Sequence, residues 1–119
     1  MFEMAGNPSS VQKEALQRPL RDELFRQFCM FGQPGWKIPA LELTAKRDPI
    51  RRNVTMTARV FNLNGDQEIK GVPEPLIDAA FAYHKLCSSW GEGWTRCQLT
   101  LTLGEGGTVK RSQWDYKYD

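Results

Sequence analysis

The sequence predicts an α+β domain, a largely antiparallel sheet with two helices packed on one of its faces, in the order α-β-β-β-α-β-β. Three observations lead there. Apolar residues recur at helical spacing before residue 31 and again between 73 and 90. The remaining stretches alternate apolar and polar residues, the period of a strand with one buried side. Turn-forming dipeptides separate those stretches, Asn64-Gly65 above all. With 119 residues the chain can build one real core, so a single domain over 1–119 is expected.

The first helix is read from VQKEALQRPLRDELFRQFCMF. Leu16, Leu20, Leu24 and Phe28 form its apolar stripe, widened by Phe25 and Phe31, while Lys13, Arg21, Asp22 and Arg26 lie off it. Asn7 and Pro8 look like its cap and first residue. Pro19 either kinks the helix or starts it, because proline lacks a donor and clashes with the preceding turn; in the second case residues 1–12 are loosely ordered. GQPG at 32–35 ends it.

From Trp36 the period becomes two. In IPALELTA, Leu41, Leu43 and Ala45 face one side and Glu42 and Thr44 the other. VTMTARVF sets Val54, Met56, Ala58 and Val60 against Thr55, Thr57 and Arg59. The basic run KRDPIRR, 46–52, falls in the loop between them. Asn64-Gly65 then turns the chain into a shorter strand through DQEIKGV. Pro73 and Pro75 open the second helix, with Leu76, Ala79, Ala80, Tyr83, Leu86 and Cys87 as its stripe. Glu74 and Asp78 suit its positive end. In WTRCQLTLTL, Cys97, Leu99, Leu101 and Leu103 point inward, GEGG makes a turn, and TVKRSQWDYKYD runs back as the last strand. Its rings Trp114, Tyr116 and Tyr118 share one face. Core packing is their leading reading, ahead of partner contact and of a platform for stacked bases.

Composition narrows the function classes. A net charge of +2, with both signs mixed along the chain, does not by itself imply nucleic acid or membrane. No apolar run approaches the roughly 20 residues of a membrane helix. The N-terminus lacks the basic patch and apolar run of a secretory signal, so a cytoplasmic protein is expected. Cys29, Cys87 and Cys97 lack CxxC spacing and read as reduced core residues. His84, alone of its kind, has Ala80, Phe81 and Ser88 at helical spacing and reads as a helix-surface or boundary residue. No acid-base pair, metal-ligand spacing or phosphate-binding loop emerges. The reading is therefore a non-enzyme without cofactor, metal or small-molecule substrate.

From the second helix onward the chain reads LIDAAFAYHKLCSSWGEGWTRCQLTLTLGEGGTVKRSQWDYKYD. The helix, the acidic Gly loop, the Trp94-led strand with Leu99 and Leu101, the Gly turn and the ending Tyr116-x-Tyr118-Asp119 resemble the YezG-like immunity proteins, antitoxins of bacterial polymorphic toxin systems. The resemblance spans about residues 76–119 and is architectural before that. It implies a protein of interbacterial competition that neutralises a cognate secreted toxin by tight stoichiometric protein–protein binding, the toxin being encoded adjacently. Members that face nucleases are acidic, so at +2 a nucleic-acid mimic is not expected here. Affinity in such a complex concentrates in a few aromatic and charged residues. The candidate contacts are Asp66 and Glu68 at the hairpin, Glu92 and Arg96 near the helix–strand loop, and Asp115 and Lys117 on the final strand. The alternative is a small nucleic-acid-binding or regulatory module using the basic loop 46–52 and the last hairpin.

Overall fold

The computed structural model describes residues 9–30, 35–51, 53–63, 68–69 and 71–118. Helix α1 spans Ser10–Cys29 and α2 spans Glu74–Ser89. The strands are β1 Pro39–Arg47, β2 Val54–Asn62, β3 Glu68–Ile69, β4 Arg96–Leu103 and β5 Val109–Lys117. They form one five-stranded sheet ordered β3-β2-β1-β4-β5, and every pairing is antiparallel. The predicted element order and α+β class are those observed.

The order follows from the connections. After β1 the chain turns at residues 49–51, where the Asp48 carboxylate accepts from the backbone N–H groups of Ile50 and Arg51. β3 lies at one edge, so α2 must cross the sheet to deliver β4 to the free side of β1. The Asn64-Gly65 turn lies outside the described residues; the short strand expected after it is β3. Lys46 and Arg47, assigned to a loop from sequence, are the last two residues of β1. Cross-strand pairing with Thr55 and Val54 extends the ladder to them.

Both helices cover the same face. Leu24 and Phe28 of α1 and Leu76, Ala80, Tyr83 and Cys87 of α2 share one core with Leu41, Leu43, Met56, Val60, Trp94, Cys97, Leu99 and Leu101. The inward sets read from alternation in β1, β2 and β4 face this core, fully buried except for Val54, Ala58 and Leu103, which are partly buried. Helix α1 departs from its reading in two ways, at its cap and in the extent of its buried stripe. It is capped by Ser9, whose hydroxyl accepts from Gln12 N–H while the Gln12 side chain returns to Ser9 N–H; Asn7 and Pro8 lie outside the described residues. Of the two alternatives for Pro19, the start of the helix is excluded, for Pro19 stands inside it. The stripe is buried only at its C-terminal end, for Leu16 is 52% exposed.

Helix α2 ends in a Schellman motif. Gly91 N–H donates to Ser88 C=O and Glu92 N–H to Cys87 C=O, with Gly91 at φ 72°, the left-handed conformation that glycine adopts without penalty. This turn sets the start of β4 beside the end of α2.

Candidate functional site

The uncovered face of the sheet is assembled by register. Arg59, Glu42, Gln98 and Asp115 lie opposite one another across β2, β1, β4 and β5. The next row is Thr57, Thr44, Arg96 and Lys117, and on the other side Glu68 stands opposite Phe61. Neither helix packs on this face, because their apolar stripes belong to the core opposite. Arg59 joins Glu68 at 2.9 Å and Glu42 at 3.2 Å, and Arg96 approaches Glu42 at 3.8 Å. Arg59 also lies over the Phe61 ring, 4.9 Å from its centroid. The face is thus a lattice of alternating charge, held by cross-strand neighbours.

Four of the six residues named from sequence, Glu68, Arg96, Asp115 and Lys117, share this face. Glu92 does not. It sits in the turn after α2 and is ion-paired to Lys13 of α1 at 2.5 Å, on the helix side. Asp66 lies outside the described residues. Sequence reading left Glu42 and Arg59 out of the candidate set although they link its charges. The missing signal was the pairing of β1 with both β2 and β4, which no short-range pattern carries.

Next to the lattice, at the end of the sheet, lies a cleft of about 590 Å³. The end of β1, the starts of β2 and β4, the end of β5 and the last turns of α2 enclose it. Lys46, Arg47, Arg96 and Lys117 line it beside Thr44, Thr95, Ser88, Trp94 and Tyr118. His84 forms part of its wall and is a correction to the surface reading, being only 8% exposed. Its ring meets Trp94 edge-on at 4.8 Å, and Nδ1 lies 3.4 Å from the Ser88 hydroxyl. Burial pushes the imidazole pKa below its ordinary 6.5; a backbone hydrogen bond at Trp94 partly opposes this, and the Arg47 charge reinforces it. Gly93 makes the tight wall possible, since a Cβ there would stand 2.5 Å from Ser88 Oγ.

The aromatic row splits. Trp114 and Tyr116 pack against the core, whereas Tyr118 is 54% exposed and lines the cleft. Tyr116 and Tyr83 share a hydroxyl–hydroxyl hydrogen bond of 2.5 Å. Burial pushes the Tyr83 phenol up to about 12 and raises that of Tyr116 as well. Arg21, ion-paired to Glu14, interacts with the Tyr83 hydroxyl, so α1, α2 and β5 are joined through polar tips above an apolar core.

Cys87 and Cys97 are buried, and desolvation raises both thiol pKa values. Cys29 is exposed at the end of α1, not in the core as expected, because the helix turns that position away from Leu24 and Phe28. No group of three or more His, Cys, Asp or Glu that could hold a metal ion occurs among the described residues. No helix among them is long and apolar enough to cross a membrane. Compared with protein-family models and with curated proteins, the chain matches none.

Proposed function

We propose that this is an immunity protein, which binds a cognate bacterial toxin in the cytoplasm and blocks it by occupying a surface the toxin needs. The observation that carries the reading is the uncovered sheet face with its charge lattice of Glu68, Arg59, Glu42 and Arg96. A sheet face held in register by hydrogen-bonded strands presents its side chains without further ordering, which lowers the entropy cost of association. Alternating charges on such a face reject partners whose pattern does not match. The sequence resemblance to YezG-like antitoxins over residues 76–119 points the same way.

The interface required is of ordinary size, about 800 Å² on each partner. Rim pairs such as Arg59–Glu68 set encounter rate and specificity, and the exposed Tyr118 and the half-buried Phe61 are the natural candidates for packed anchors. The test is co-expression with each neighbouring open reading frame, followed by affinity purification and a growth assay. Recovery of one toxin domain at equal stoichiometry, with relief of its toxicity, supports the reading. Recovery of nucleic acid alone, lost at raised salt, supports instead a nucleic-acid-binding module using residues 46–52 and the last hairpin.

A further inference from the structure

The cleft at the end of the sheet differs from the face beside it. There cations and carboxylates alternate; here the described lining residues include Lys46, Arg47, Arg96 and Lys117 and no carboxylate. Arg96 and Lys117 stand directly opposite each other on β4 and β5, a like-charge pairing that costs stability when nothing negative lies between. Arg96 reaches Glu42 only at 3.8 Å. No ion pair joins Lys46, Arg47 or Lys117 to a described carboxylate. The His84 imidazole, with its depressed pKa, adds a neutral polar wall.

We infer that this cleft receives a carboxylate-rich segment of the partner protein, two or three Asp or Glu side chains presented on one chain. The inference rests on the toxin-binding reading and names the chemistry of the partner. Three features favour carboxylates on a protein over phosphates on a nucleic acid. Four cations meet in the cleft with no carboxylate in its lining, whereas a strand of several nucleotides leaving it across the sheet would meet Glu42, Glu68 and Asp115. The last turn of α2 forms one wall, and the carbonyl end of a helix repels a compact dianion set against it. Carboxylates carried on a chain reach the cations at the rim while staying clear of that wall, and each guanidinium can take one in a two-pronged pair. The cleft's volume also lies within the range of sites that enclose a small segment and not a whole duplex.

Amide NMR titrations with an acetylated tetraglutamate peptide, an octathymidylate and pyrophosphate test this at low salt. The expected result is saturable peptide binding that shifts the amides around Lys46, Arg47, Arg96 and Lys117. Arg47→Ala combined with Lys117→Ala, both exposed positions, should weaken it at least tenfold at unchanged melting temperature. Tighter binding of the oligonucleotide or of pyrophosphate overturns the inference. So do an absence of saturable peptide binding and peptide shifts that the double variant leaves intact. The two readings fail separately. A toxin that binds the double variant with undiminished affinity removes the cleft and keeps immunity, whereas peptide binding with no toxin recovered does the reverse.

Discussion

His84 shows how a single side chain links fold to condition. Its folded-state pKa lies below 6.5 because burial beside Trp94 disfavours the charged ring and Arg47 reinforces this. An unfolded chain therefore binds a proton that the native state refuses. The contribution of His84 to stability is complete above pH 6.5 and is lost as pH falls from there toward the lower folded value. Denaturant melts between pH 7.5 and 5.5 should show stability declining over that window in the wild type, and a flatter profile in His84→Gln. Tyr116→Phe makes a second residue-scale prediction. It removes one hydroxyl–hydroxyl bond, while Tyr83 keeps its contact with Arg21. The expected loss is about 1 kcal/mol by urea titration. Sequence reading could place Tyr83 and Tyr116 on inward faces, but not their meeting, which depends on where α2 crosses the sheet.

At the scale of elements, alternation and helical spacing carried most of the information. In β1, β2 and β4 one side is wet and the other covered, so each strand's own residues declare its faces. Helix α1 was less legible, because periodicity reports an apolar stripe without reporting how much of it has a partner. Leu16 and Leu24 belong to the same stripe, yet Leu24 is fully buried and Leu16 is 52% exposed. Leu24→Ala should therefore cost roughly 2–5 kcal/mol, against under about 0.5 kcal/mol for Leu16→Ala, measured by chemical denaturation. The start of α1 is a third element-scale case. Ser9→Ala deletes the reciprocal capping bonds with Gln12 and should lower stability by about 1 kcal/mol, with fraying of the first turn visible as faster amide exchange.

At the scale of the whole molecule, the sheet is finished on one face and open on the other. The core under α1 and α2 holds the strands in register, and the register in turn aligns Arg59, Glu42, Arg96 and Lys117. Four of the six residues named from sequence fall on the open face, because alternation along a strand tells which side a charge takes. Their convergence was not legible, since β1 pairs with β4 across more than fifty residues of chain. The cleft was hidden for the same reason: Lys46 and Arg47 read as a loop, whereas pairing with β2 makes them the end of β1, and the cleft there brings them together with Arg96 and Lys117.

The most direct measurement is the affinity of the purified toxin domain for the wild type and for Gln98→Arg with Thr100→Arg, two changes at the centre of the open face. Ala82→Arg on the exposed side of α2 is the control. The account predicts that the double variant melts like the wild type and binds at least a hundredfold more weakly, a loss of about 2.7 kcal/mol, while the control binds normally. Undiminished binding by the double variant, or a comparable loss in Ala82→Arg, would contradict it.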